Sequence, residues 1–145
     1  MDATPNLAAT LRARAAAHPD RAAIIETDPP TGRDRVWTYA ALADTAGRVA
    51  AGLRARGLRP GDDVLVLQPM GGELYAFLIG AWQAGLVCLF IDPSQGRAHL
   101  AACVRRRRPR ALFGVARAHW FSLVVPGLRG GIARFRSYPV VTTVE

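Results

Sequence analysis

Hydrophobic positions recur with two different periods along the chain, and each change of period separates predicted elements. An Ala-rich stretch with apolar residues four apart predicts a short amphipathic helix over residues 6–17, which the breaker at residues 18–20 ends. Two β-prone runs, residues 22–26 and 35–39, flank a polar segment rich in Pro, Asp and Gly. This arrangement predicts a small antiparallel hairpin.

The rest of the pattern predicts strands that alternate with helices. Thr38 is a good N-cap for a helix whose apolar positions recur at helical spacing until Gly57. Further predicted strands cover residues 64–67, 86–91 and 111–113, and further predicted helices cover residues 72–84, 97–107 and 116–125. The predicted fold class is therefore α/β: an N-terminal helix and hairpin, then an incomplete parallel βαβ sheet that is buried between helices on both faces.

The pattern changes again near the end of the chain. No sustained period continues beyond Pro126, and only residues 140–144 look β-prone. Residues 127–145 are therefore predicted to form an irregular basic tail, which is either a non-native, frame-shifted ending or a diverged loop. The first 104 residues hold ten Arg against ten Asp and Glu, whereas the last 41 hold nine Arg against Glu145 alone. The whole net charge of +8 thus arises in the last part of the chain.

One apolar segment has two interpretations. Residues 74–91 carry no formal charge over 18 positions, which is close to the minimum length of a membrane-spanning helix. However, Gln83, Ala84 and Gly85 lie in its middle, where they are typical of a helix end followed by a strand. We therefore predict a buried helix and a buried strand, with no membrane span.

Residue usage excludes several chemistries and indicates a compartment. All nineteen basic residues are Arg, so a Schiff-base lysine, a lysine general base and the lysine of a P-loop are absent from this chain. Cys88 and Cys103 make no CxxC spacing, which indicates neither a disulfide framework nor a zinc site. With no apolar signal-peptide core at the N-terminus, a reducing, cytoplasmic location is predicted.

Several isolated features have a functional and a structural interpretation. His18, His99 and His119 share no metal-ligand spacing, so ordinary surface or packed histidines are favoured. Residues 71–73 could cradle an anion at a helix start, but Glu73 already suits that position and favours a plain turn. Four aromatic side chains have the potential to line an acyl pocket, but periodicity favours core positions for most of them; these are Trp82, Phe90, Trp120 and Phe121.

The basic cluster at residues 105–108 also has two interpretations. Adjacent arginines suit phosphate contacts, as in a nucleic-acid-binding surface. Cations at a helix C-terminus also complement the helix dipole, Pro109 stops the helix, and no aromatic residues interleave for base stacking. A solvated helix end is favoured, and no nucleic-acid partner is expected.

Three motifs in order resemble the adenylate-forming (AMP-forming) ligase superfamily, which includes acyl-CoA synthetases, peptide-synthetase adenylation domains and luciferases. Residues 37–42, Trp-Thr-Tyr-Ala-Ala-Leu, resemble its first core motif. Residues 84–93 resemble its second core motif, with Phe90 in place of a common proline. Between these two, residues 57–64 resemble its Gly-Pro-Gly-Asp turn. The resemblance implies that residues 1–126 form part of an N-terminal ligase subdomain. Its scaffold positions here are Thr38, Tyr39, Leu42, Gly61, Asp62, Ala84, Gly85, Asp92, Pro93, Gly96, Arg97 and His119.

A finer resemblance concerns the olefin-pathway β-lactone synthetases. Residues 91–93, Ile-Asp-Pro, followed by Gly96-Arg97 and later by Ala118-His119, resemble the pattern of that subgroup. Fatty acyl-CoA or acyl-AMP ligases are the alternative within the superfamily. The resemblance implies that a full enzyme would use ATP and Mg²⁺ to activate a fatty or β-hydroxy carboxylic acid as an acyl-adenylate.

The residues that perform this chemistry in the superfamily are not found in the chain. A phosphate loop of the type SGTTGxPKG occurs nowhere in the 145 residues, and neither does the catalytic lysine. We therefore assign no catalytic, cofactor-binding or metal-binding residue, and expect no bound cofactor and no adenylation by this chain alone. A stand-alone binding or assembly module and a basic nucleic-acid-binding protein remain the alternatives to a ligase fragment.

Overall fold

A computed structural model describes residues 6–27, 31–114 and 133–136 of the chain. These residues belong to two compact units, which interleave along the sequence. The first unit contains the residues up to Leu53 together with residues 70–84. The second unit contains residues 54–69 and the described residues from Gly85 onward.

The first unit begins with a helix and a hairpin. Helix α1 covers Leu7–Ala17, and its first turn is capped by the Asn6 side chain, which accepts a hydrogen bond from the Ala8 N–H at 2.9 Å. Strands β1 (Ala22–Thr27) and β2 (Asp34–Thr38) pair antiparallel. Both the predicted helix and the predicted hairpin are confirmed.

Two further helices complete the first unit. Helix α2 covers Tyr39–Ala55, and the Thr38 hydroxyl accepts a hydrogen bond from the Ala41 N–H at 3.2 Å, which confirms the predicted cap. Helix α3 covers Gly72–Gln83. One core cluster joins the hairpin to the three helices; its buried members are Ala8, Leu11, Trp37, Leu42, Ala46, Ala76 and Ile79.

The second unit is a parallel sheet with helix α4 packed against it. Its strands are β3 (Asp63–Leu67), β4 (Val87–Phe90), β5 (Ala111–Gly114) and β6 (Ala133–Arg136), in the order β4-β3-β5-β6. A 3₁₀ turn over Pro93–Gln95 precedes helix α4, Arg97–Arg107. The buried residues of β3, β5 and α4 form one cluster, namely Leu65, Leu100, Ala101, Val104 and Leu112. The predicted α/β class with parallel strands alternating with helices is confirmed.

Two details of the sheet differ from expectation. Strand β6 lies at Ala133–Arg136, where the apolar pattern predicted no strand, and it pairs in parallel with β5. Strand β4, expected to be buried on both faces, has exposed ends because it is paired on one side only within the described sheet. The core position that periodicity favours for most of the aromatic residues does not hold for Phe90, which is 60% exposed.

The long apolar segment folds as a helix and a strand. Helix α3 ends at Gln83, Gly85 follows with φ +76°, and β4 begins two residues later. In the described part of the chain, no helix combines the length and the apolar character needed to cross a membrane. The predicted helix over residues 116–125 and the β-prone run 140–144 lie outside the described residues.

A matched pair of glycine substitutions tests the role of Gly85. Gly57 and Gly85 have nearly the same backbone conformation, with φ +80° and +76°, but a Cβ at Gly57 meets no atom within 4 Å. A Cβ at Gly85 would lie 3.0 Å from the Cβ of Pro60. We expect Gly57→Ala to lower the free energy of unfolding by about 1–2 kcal/mol and Gly85→Ala by about 2–4 kcal/mol, measured by urea denaturation. Equal losses would show that the Pro60 contact is unimportant.

Candidate functional site

The first motif of the chain is held by a carboxylate of β1. Glu26 accepts a hydrogen bond from the Trp37 indole N–H at 3.2 Å with one oxygen. Its other oxygen accepts a hydrogen bond from the backbone N–H of Gly72 at 2.7 Å. Because Gly72 is the first residue of α3, Glu26 satisfies one of the donors that a helix start leaves open. This single carboxylate therefore connects β1, β2 and α3.

An arginine balances the charge of this carboxylate. The guanidinium of Arg35 lies 3.4 Å from Glu26 and 3.6 Å from Glu73, and its central carbon lies 4.7 Å from the centroid of the Trp37 ring. The side chains of Arg35 and Glu26 are about three-quarters shielded from water or slightly less. Glu26, Glu73, Arg35 and Trp37 thus form one network, in which a single guanidinium offsets part of the negative charge of two carboxylates.

The contacts of Glu26 show which negatively charged group lies at the start of α3. The plain turn favoured from the sequence is observed, but the anion at the helix start comes from Glu26 as well as from Glu73. A side chain at Gly72 would overlap the Trp37 indole, so that position requires glycine for close approach. The Gly72 N–H at the start of α3 is therefore already paired with a carboxylate of the protein itself.

The second core motif and the Gly-Pro-Gly-Asp turn meet at the amino ends of the parallel strands. The Gly61 N–H donates to the Gly85 carbonyl at 2.8 Å, and the Val87 N–H donates to the Asp62 carbonyl at 3.0 Å. Gly61 has φ +88°, which makes the turn before β3 possible. The Asp62 carboxylate closes the same turn by accepting from the Arg59 N–H at 2.8 Å. These residues therefore set the register between β3 and β4.

Two arginines, Arg107 of the basic cluster and Arg110 just after it, bind the acids at this edge of the sheet. Arg107 donates two hydrogen bonds of 3.0 Å to the carboxylate of Asp63, whose side chain is only 11% exposed. Arg110 lies 3.8 Å from the Asp62 carboxylate, and its N–H donates to the Asp63 carbonyl at 2.8 Å. The expected helix end is observed, with Arg108 as its left-handed cap, but Arg107 joins the helix to the sheet rather than only facing solvent.

The remaining motif residues lie beyond the carboxyl end of β4. The Asp92 carboxylate accepts hydrogen bonds of 2.8 Å from both the N–H and the hydroxyl of Ser94, and these bonds lower the pKa of Asp92. Pro93 opens the 3₁₀ turn and Gly96, with φ +89°, precedes the first residue of α4, Arg97. Asp92 therefore shapes the entry to α4.

The scaffold positions named from the sequence thus divide into three separate groups. Thr38, Tyr39 and Leu42 begin α2 in the first unit, where Leu42 is buried and Tyr39 is partly buried. Gly61, Asp62 and Gly85 lie together at the amino edge of the sheet, whereas the group around Asp92 lies beyond its carboxyl edge. Ala84 is the buried C-cap of α3, and His119 lies outside the described residues.

The topology indicates where an open parallel sheet of this kind would receive a ligand. The chain leaves β3 on one side to form β4 and returns to its other side to form β5. Ligands of such sheets bind beyond the carboxyl ends of the strands where this reversal occurs, here Leu67 and Gly114. On the β3 side the next residues, Gln68, Pro69 and Met70, provide no acid, base or nucleophile. Among the described residues, the segment that follows β3 at this edge therefore supplies a frame but no reactive group.

The described residues do not fit ATP or Mg²⁺. No cluster of three or more His, Cys, Asp or Glu side chains suited to a metal ion occurs among residues 6–27 and 31–114. The start of α3 is occupied by Glu26, and the acids at the amino edge are paired with Arg107 and Arg110. These described side chains therefore form no site for a nucleotide or its metal ion.

Replacement of Glu26 tests the network around the first motif. In Glu26→Gln, one oxygen cannot accept from both Trp37 and Gly72 in the present geometry, and the amide N–H₂ faces a donor. We expect a loss of about 1–3 kcal/mol in the free energy of unfolding, with a changed Trp37 fluorescence. The control is Asp44→Asn, which removes an exposed ion pair with Arg48 and should cost less than about 1 kcal/mol. Similar losses for both would contradict the role of Glu26.

Comparisons with known proteins identify the family of the chain. A family model described as AMP-binding enzyme matches residues 11–130. The chain is 52% identical over 60 residues to phenyloxazoline synthase MbtB of Mycobacterium tuberculosis, covering 41% of this chain and 4% of that protein. It is 29% identical over 118 residues to the olefin β-lactone synthetase of Xanthomonas campestris pv. campestris, covering 76% of this chain and 21% of that protein.

A solved structure shares the arrangement of elements. The fatty acyl-adenylate ligase of L. pneumophila, in complex with acyl adenylate and pyrophosphate, is similar with a TM-score of 0.73 and 25% identity over 90% of this chain and 23% of that one. The chain spans less than a quarter of the length of each of these three proteins. From the family match over most of its length, the chain belongs to the AMP-binding enzyme family.

Proposed function

We propose that this chain provides the N-terminal scaffold of an ATP-dependent, AMP-forming ligase that activates a carboxylic acid as an acyl-adenylate. The observation that carries the proposal is the family match over residues 11–130. In support, motif residues Gly61, Asp62 and Gly85 make the backbone contacts that hold β3 to β4. Their role in this scaffold is to order a sheet edge, and other residues would bind the nucleotide.

The proposed reaction requires groups that stabilise negative charge on phosphate, and the described residues do not supply them. A carboxylate oxygen of the acid would attack the α-phosphate of ATP, so that an acyl–phosphate bond forms as pyrophosphate leaves. Negative charge on the phosphate oxygens then needs cations or N–H donors in fixed positions. The chain has no lysine, and Arg107 and Arg35 are engaged with acids of the scaffold. The isolated chain is therefore proposed to be inactive in adenylation.

The substrate class proposed is a fatty or β-hydroxy acid. Support comes from the likeness to a fatty acyl-adenylate ligase structure and to an olefin β-lactone synthetase, which share the scaffold but differ in the fate of the acyl group. The Ile91-Asp92-Pro93 sequence with Gly96-Arg97 favours the second of these. Formation of a β-lactone would use an internal hydroxyl of the acid, whereas acyl-CoA formation would use an external thiol.

An exchange assay tests the proposed role with the isolated chain. Purified 145-residue protein is incubated with ATP, Mg²⁺, labelled pyrophosphate and either a long-chain fatty acid or a β-hydroxy fatty acid. We expect no label in ATP above the level of a reaction without protein, because the groups that hold the triphosphate are absent from the chain. Exchange that depends on the added acid would contradict the proposal of a scaffold without catalytic groups.

A chimera provides the positive arm of the same experiment. Residues 11–130 would replace the equivalent segment of the X. campestris olefin β-lactone synthetase, whose own exchange activity is measured in parallel. We expect the chimera to retain acid-dependent exchange if this chain is a ligase scaffold. A chimera that folds with the far-ultraviolet circular dichroism of the parent but shows no exchange would favour a binding or assembly module instead.

A further inference from the structure

Helix α4 presents two metal-ligating side chains on one face. His99 and Cys103 are four residues apart, so they lie one above the other on the helix surface. The opposite face, with Leu100, Ala101 and Val104, is buried in the core of the second unit. His99 is exposed and Cys103 is partly exposed, so both can be reached from water. This pair takes no part in the scaffold described above.

The distance between the two ligand atoms is the one that a tetrahedral metal ion requires. The Sγ of Cys103 lies 3.5 Å from the Nε2 of His99. Zinc binds cysteine sulfur at about 2.3 Å and histidine nitrogen at about 2.0–2.1 Å, and a tetrahedral angle then separates the two atoms by about 3.5 Å. The spacing of the two ligand atoms is therefore compatible with an ion bound between them.

We propose that His99 and Cys103 form a two-ligand surface site for a thiophilic divalent cation of the Zn²⁺ type. A thiolate and an imidazole together select zinc over magnesium or calcium, which prefer oxygen ligands. Because the described residues contain no cluster of three or more suitable ligands, water would fill the other two positions of the tetrahedron.

The proposed site has a structural and a chemical consequence. A bound ion would connect the first and second turns of α4, which begins at Gly96 without a side-chain cap. It would also hold the Cys103 sulfur as a thiolate bonded to metal and so shield it from alkylation and oxidation. The other thiol offers a contrast, because burial raises the pKa of Cys88 to about 11 and suppresses its reaction at neutral pH.

The experiment uses the intact, metal-free chain. Co²⁺ is added first, since a cobalt–thiolate bond gives an intense near-ultraviolet charge-transfer band, and Zn²⁺ is then used to displace it. In parallel, the alkylation of each cysteine by iodoacetamide is followed by peptide mass spectrometry with and without Zn²⁺. We expect the thiolate band to appear and Zn²⁺ to slow the alkylation of Cys103 but not that of Cys88.

Matched variants assign the ligands. Loss of an outer-shell partner of a metal ligand already weakens binding by about 10- to 100-fold, so His99→Gln and Cys103→Ser should each weaken Co²⁺ binding by more than about tenfold. His18→Gln and Cys88→Ser serve as controls and should leave the affinity unchanged. Far-ultraviolet circular dichroism verifies that each variant folds. Because His99 and Cys103 lie outside the buried face of α4, their replacement is expected to preserve the helix.

Two results would overturn the proposal. A chain that shows no cobalt–thiolate band and the same Cys103 alkylation rate with and without Zn²⁺ would show that the pair is only hydrogen-bonded. Binding that survives in both His99→Gln and Cys103→Ser would show an adventitious ion held elsewhere.

Discussion

The architecture of the second unit depends on one short segment, Gly61-Asp62-Asp63, at the amino edge of the parallel sheet. Its backbone contacts Gly85 and Val87 on the β4 side and Arg110 before β5. The buried carboxylate of Asp63 then binds Arg107 at the end of α4 through two hydrogen bonds. Because the strands, the turn and the helix all meet here, the positive φ of Gly61 is a requirement of the whole sheet.

The local part of this structure could be predicted from the sequence. The apolar period identified the described helices to within one or two residues, and the Thr38 cap followed from its position before an apolar period. Contacts between distant residues could not be predicted, because periodicity carries no information about partners. The Glu26 carboxylate reaches an N–H 46 positions away, and strand β6 depends on pairing with β5 rather than on its own apolar pattern.

The residues of the candidate sites could likewise be identified by type from the sequence, but their contacts could not. The motifs predict scaffold positions, and two of these, Gly61 and Gly85, are joined by a backbone hydrogen bond. Phe90 lies in an apolar run that favours a core position, but it ends a strand at the edge of the described sheet and is 60% exposed. Residue type alone does not show that His99 and Cys103 are neighbours. Their four-residue spacing on one predicted helix is the sequence feature that places the two side chains side by side.

One account is supported by three observations: the family membership, the ion pairs of the scaffold and the absence of lysine. In this account the sequence carries the scaffold of a ligase but not the residues that bind ATP and perform the reaction. The most direct measurement is the mass of the native protein in the cells that produce it, detected with an antibody raised against residues 1–104. This account predicts a band several times heavier than 15.6 kDa. A sole band near 15.6 kDa would contradict it and would favour a short binding or assembly module.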